Sequence, residues 1–197
     1  MTIANGYCTL AEARTWLGYK STDTTDDALI EAIVEEVSRW IDNYCQRRFY
    51  KNAVDETRYY TARNDYVVET DDIVSITTLK TDNDGDGTFE TAWSTDNYVL
   101  WPFNGEEPYQ RIEVNRGSMT YLFPQLKKGV QVVGVFGWSS VPPTIKRACA
   151  MQTARIFKRQ DAIFGVAGST AMGEITLTQP GLDVDVEQMI KTYVRVY

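Results

Sequence analysis

The sequence predicts an α+β protein: a helical domain of about four helices, interrupted by an inserted small antiparallel β-sandwich or barrel. Three observations predict it. Apolar residues recur at helical spacing in the first quarter of the chain and again in the last. Between Thr57 and Trp138 the period falls to two, and β-branched and aromatic residues dominate. Asn, Asp, Gly and Pro clusters punctuate that middle stretch into short strands. The domains so read are 1–54 with 139–197, helical, and 55–138, inserted.

The first element opens at Thr9-Leu-Ala-Glu12, a capping box in which hydroxyl and carboxylate satisfy each other's backbone donors. Leu10, Ala13, Trp16 and Leu17 follow as a short apolar stripe, and Gly18 ends the helix. A polar loop, Tyr19 to Thr24, leads into a long helix from about Thr25 to Arg47, with Thr24 or Thr25 as N-cap. Leu29, Ile33, Val37, Ile41 and Tyr44 form its stripe, and Ile30, Val34 and Trp40 widen it. Acids crowd its front half and arginines its end, which complements the helix dipole. At ~1.5 Å per residue it spans ~34 Å and needs other elements to cover it.

The strands expected next are Arg58–Thr61, Tyr66–Glu69, Ile73–Lys80, Thr88–Trp93, Tyr98–Trp101, Arg111–Asn115 and Val130–Trp138. Ser139 to Thr144 marks the return to helix, with Pro143 in a first turn where its missing donor is not needed. The third helix runs from about Thr144 to Arg159. Its small residues Ala148, Ala150 and Ala154 permit close approach to the long helix. Asp161 to Gly181 is Gly-rich, a mobile loop or a hairpin with Glu174–Thr178 as one strand. A final short helix, capped by Asp183, turns Val184, Val186, Met189, Ile190 and Tyr193 inward.

Composition narrows the chemistry. The chain contains no histidine, which removes Ser-His and Cys-His pairs and the commonest general base and transition-metal ligand. Its three cysteines stand far apart without a CxxC pair, so they read as small buried thiols. No catalytic set and no phosphate loop emerge, and an enzyme is not expected. A net charge of −7 disfavours a broad grip on a phosphate backbone but suits a wall that DNA slides past. No apolar run approaches a membrane span, and the N-terminus lacks the pattern of a signal peptide.

The sharpest local motif is Asp82-Asn-Asp84-Gly-Asp86-Gly-Thr88-Phe-Glu90. Carboxylates at alternate positions, followed by Gly, match the first half of a calcium loop, with Thr88 offering a carbonyl and Glu90 a water-mediated contact. Trp93 stands where the bidentate Glu belongs, and the flanks read as strands. A polar hairpin turn is the competing reading. No cofactor is required, and Ca2+ is the one candidate.

Candidate contact residues are fewer. Arg47 and Arg48 end the long helix, and Arg155, Lys158 and Arg159 punctuate the third at helical spacing. They read either as a solvated face or as a basic edge for the acidic front of another copy. Phe164 and Val166 lie in the Gly-rich segment, which reads as a loop that orders on a partner. Trp93, Trp101, Phe103, Tyr109, Tyr121 and Phe123 are core or an aromatic contact surface.

YCTLAEARTWLG, DDALIEAIVEEVSRWIDNYCQRRF, VPPTIKRACAMQTARIFKRQDAIFGVAG and LDVDVEQMIKTYVRV together resemble the head–tail connector (adaptor, head-completion) proteins of tailed bacteriophages. The most telling pieces are the ID-x-YC-x-RRF end of the long helix and the DA-x-FGVAG turn. The resemblance implies a structural virion protein of the neck, assembled in the host cytoplasm. It implies a homo-oligomeric ring, commonly of twelve copies, beneath the portal protein. Such a ring extends the DNA channel and docks a tail, stopper or head-closure protein. DNA would pass without sequence-specific contact, and no membrane is involved. The alternatives are a calcium-dependent interaction module of a phage particle, or another neck or tail completion protein.

Overall fold

The computed structural model describes residues 3–19, 24–118, 120–159, 166–167, 176–177 and 181–195. The chain divides into two compact units, 1–47 with 141–197, and 48–140.

In the helical unit, α1 (Leu10–Leu17) begins as its sequence dictates. The Thr9 hydroxyl accepts the Glu12 N–H at 3.2 Å, and the Glu12 carboxylate accepts the Thr9 N–H at 2.7 Å. Gly18 ends it in the left-handed region, at φ 75°. The long helix α2 is shorter than expected, Asp27–Cys45. Its N-cap is Asp26 instead of a threonine, and the Asp26 carboxylate accepts from the Tyr19 hydroxyl at 3.2 Å instead of capping. At the far end Gln46 turns left-handed, so the helix stops before Arg47. The buried face is rotated from the expected stripe: Ile30, Ile33, Val34, Val37, Ser38, Ile41 and Cys45 are inside, whereas Leu29 is exposed and Tyr44 only half-buried.

The helix α3 (Pro143–Arg159) packs on both α1 and α2 and buries Ile145, Ala148, Cys149, Ala154 and Phe157. Each large aliphatic side chain taken fully inside contributes about 1.5–3 kcal/mol of transfer free energy. The last helix, α4 (Val184–Ile190), adds Val186 and Ile190 to the same core and packs on α3. Within the Gly-rich segment Val166–Ala167 and Thr176–Leu177 are described, as an antiparallel pair, together with Gly181 at its end. The expected strand Glu174–Thr178 is represented there by its third and fourth residues, Thr176 and Leu177.

The residues before α1 lie along the polar side of α2. Glu35 accepts from the Ala4 and Asn5 amides at 2.6 and 3.1 Å, and the Ser38 hydroxyl accepts from the Tyr7 amide at 3.0 Å. Arg39 donates to the Asn5 carbonyl at 2.9 Å, and the Tyr7 hydroxyl bonds Asp42. Part of the acidic front of α2 is therefore engaged within the chain.

The second unit is an antiparallel sheet of six strands: β1 (Glu56–Tyr60), β2 (Val67–Thr81), β3 (Thr91–Trp93), β4 (Tyr98–Trp101), β5 (Tyr109–Val114) and β6 (Val130–Phe136). The order is β1-β6-β2-β5-β4, with β3 also on β2. The sheet is not closed, so of the two expected forms the barrel is not formed. The two strands expected at Tyr66–Glu69 and Ile73–Lys80 are one strand, β2, that bulges between Glu69 and Ile73. Its first half pairs with β5, while its second half pairs with β6 on one edge and β3 on the other. Alternation along β6 sends Val130, Val132 and Phe136 into a core shared with Val68, Ile73, Leu79, Ile112 and Val114. Trp93 and Phe123 stack in the same core, centroids 4.4 Å apart. Trp101 and Phe103 instead meet edge-to-face at 4.9 Å and stay exposed.

Candidate functional site

The loop from Asp82 to Glu90 joins β2 to β3, whose register runs Thr81↔Thr91 and Leu79↔Trp93. It is a hairpin connection, folded around Asp82. One oxygen of this buried carboxylate accepts the Gly85 N–H at 2.7 Å, and the other accepts the Gly87 N–H at 2.9 Å. Both glycines sit at positive φ, 82° and 89°, a region that costs other residues strain. The Asp82 amide itself donates to the Gly129 carbonyl at 2.9 Å. Asp84 accepts from the Asp86 amide at 3.3 Å, and Asp86 from the Thr88 amide at 2.7 Å. Burial pushes the Asp82 carboxyl up, but the N–H groups of Gly85, Gly87 and Asp84 outweigh it and hold the group below its ordinary value.

Four of the five expected ligand residues come together. Asp82, Asp84, Asp86 and Glu90 each place a carboxylate oxygen within 4.8 Å of the others. Opposed calcium ligands at about 2.4 Å from the ion would be about 4.8 Å apart, so the spread fits one hard cation. Thr88 meets the loop through its amide on Asp86. Beside the cluster lies an open hollow of about 500 Å³, lined by Asp82, Tyr59, Phe89, Leu126, Lys127 and Lys128. Lys127 and Lys128 share the lining of that hollow with Asp82. The arrangement can bind or be neutralised, but it holds no nucleophile beside a base.

The basic residues singled out in the helical unit are largely engaged within it. Arg155 forks onto Asp185 with two bonds of 2.5 Å and reaches Asp183 at 3.2 Å. Arg159 also bonds Asp183. Hydrogen bonding from Arg155 lowers the Asp185 carboxyl to about 2, and the pairing raises Arg155 in turn. Asp183 stands at the N-cap of α4 as expected, but its carboxylate serves these arginines and makes no cap bond. Gln152, fully buried, completes the clamp: it donates to the Gly181 carbonyl at 3.0 Å and accepts from the Asp183 amide at 3.2 Å.

Lys158 is exposed, and Arg47 follows α2 with its amide on the Asp42 carbonyl. In the second unit Arg48 is exposed and contributes to lowering the Glu56 carboxyl, after the larger effect of Arg58. Val166 lies in the short strand pair, and Phe164 falls outside the described residues. Gln152 and the Glu35–Ser38–Arg39–Asp42 row escaped the sequence reading. Their signal, polar residues at helical spacing, is indistinguishable there from a solvated face.

Compared with known proteins, no curated protein matches the chain. Among the solved structures that share its fold, two come from gene transfer agent particles. One is a chain of the neck of an empty GTA particle, computed with C6 symmetry, at a TM-score of 0.60 and 16% identity. The other comes from the virion of a native gene transfer agent (GTA) particle, at 0.57 and 18%. Each comparison covers 100% of this chain and 94% of the other. The profile of the family described as head completion protein matches residues 7–196, spanning both units. With that span matched, the chain belongs to the head completion protein family, the phage connector group its terminal helices resemble.

Proposed function

We propose that the protein is a non-enzymatic structural component of the phage neck. Copies of it assemble into a ring below the portal, extend the DNA channel, and form the platform on which a tail, stopper or head-closure protein docks. The observation that carries this reading is the family match across 7–196, which takes in the β insert as well as the helices. The fold shared with neck and virion chains of gene transfer agent particles supports it. So does the charge of −7, which repels a duplex and lets it slide. A contact that joins unlike surfaces closes into a ring only at the right rotation, so the ring is a statement about assembly geometry. Sedimentation of the protein mixed with purified portal tests it. Co-sedimentation in a fixed multiple is expected, and a protein that remains monomeric beside the portal contradicts it.

A second reading, calcium-dependent interaction through the β unit, is favoured by one observation, the four carboxylates gathered within 4.8 Å. Calorimetric titration with calcium on the wild type and on Asp84→Ala decides it. The reading expects binding heat that the substitution abolishes, and absence of heat in the wild type ends it.

A further inference from the structure

We infer that Cys8 and Cys149 form an oxidation-responsive crosslink: a hydroperoxide that reaches Cys8 converts the pair to a disulfide, stapling the N-terminal segment to α3. The two sulfurs lie 3.5 Å apart and both are buried. A disulfide needs about 2.05 Å, so they have to close by about 1.5 Å. Cys8 precedes the N-cap Thr9 in non-helical chain, so no helical hydrogen-bond ladder holds its backbone against that movement. Cys149 sits within α3, held by the Ser38 hydroxyl at 3.5 Å and near the Val34 carbonyl at 3.9 Å.

Access is the second observation. A hollow of about 470 Å³ opens on Cys8 and is lined also by Tyr7, Leu10, Glu12, Glu31 and Lys146. A molecule the size of hydrogen peroxide fits it easily. The Cys8 sulfur attacks the peroxide, the O–O bond breaks, and Cys8 becomes a sulfenic acid as one water leaves. The Cys149 sulfur then attacks the Cys8 sulfur. The S–O bond breaks, hydroxide leaves with the proton of Cys149 as a second water, and the S–S bond forms. Two thiols lose two electrons, and the peroxide gains them.

The hydrogen-bond polarity favours the second step and works against the first. Cys8 donates to Cys149, which together with the Ser38 contact makes Cys149 the more acidic thiol and the better resolving nucleophile. The same bond and burial push Cys8 up, which makes the first step slow. Cys45 lies elsewhere in the core, pushed up to about 12 by burial, and is left out.

The inference does not depend on the neck assignment. Its test exposes the folded full-length wild type to millimolar hydrogen peroxide for hours. Intact mass, non-reducing peptide mapping and melting temperature are then read. The expected product is lighter by two hydrogen atoms and gives a peptide joining Cys8 to Cys149. It melts more than about 5 °C higher, reversibly with dithiothreitol, since the link spans most of the chain. Cys8→Ser and Cys149→Ser each abolish the mass loss. Oxygen adducts without that peptide, a link to Cys45, three thiols recovered unreacted, or a crosslink that leaves the melting temperature unchanged would each overturn it.

Discussion

Gly137 shows how far one residue without a side chain governs the β unit. It sits at φ 102°, and a Cβ there would come within 1.9 Å of the Tyr50 carbonyl oxygen. Its amide donates to the Asp72 carbonyl at 2.8 Å, and the Asp72 carboxylate accepts from the Trp138 indole at 3.0 Å. Gly137→Ala thus meets both a strained dihedral and backbone that has to move. Denaturant unfolding should show a loss of more than about 2 kcal/mol. A change within about 0.5 kcal/mol would mean that the backbone yields easily. The same scale explains a miss in the sequence reading. Thr70-Asp71-Asp72 looks like a strand break, yet the structure absorbs it as a bulge. Thr70 and Asp72 turn inward, while Asp71 meets Arg58 at 2.9 Å. Partners that distant in sequence leave no local signal.

Among the elements, α1 was legible to the residue because its start and stop rest on local chemistry, a capping box and a left-handed glycine. The edges of α2 were not: the Asp26 carboxylate goes to the Tyr19 hydroxyl instead of capping, and Gln46, not a glycine, takes the left-handed position that ends the helix. The acidic loop was legible as a cluster, because alternate carboxylates in a tight turn have to converge. The docking of α4 was legible in Val186 and Ile190, whereas Val184, expected inward, is exposed, and the polar clamp depends on α3. That clamp makes a pH prediction. In the folded chain Asp185 titrates at about 2, below its ordinary 3.8, and its charged form is the one Arg155 holds. The stabilisation is complete above the ordinary value and is lost as pH falls from about 4 through 2. Because Asp185 is half exposed, water screens the pair and its worth is about 1 kcal/mol. Arg155→Ala should lower stability by about that much at neutral pH and flatten its fall between pH 4 and 2. Denaturation of both proteins across that range measures it; an unchanged slope would assign the acid sensitivity to other carboxylates.

At the scale of the molecule, the chain leaves a helical unit at residue 47, builds a sheet, and re-enters at residue 141. Neither unit shows a histidine-based or thiol-based catalytic set, since the chain has no histidine and its cysteines are buried. What remains for it to offer is surface: an acidic helix front partly committed to its own N-terminal segment, exposed Trp101 and Phe103, and an acid cluster beside two lysines. The proposal that the chain works by contact with copies and neighbours is the central claim, and it rests on the family match across 7–196. Negative-stain electron microscopy of the protein assembled with purified portal tests it most directly. Class averages should show a closed ring of copies stacked coaxially beneath the portal. Portal rings left bare, with the protein dispersed as single copies, would contradict it.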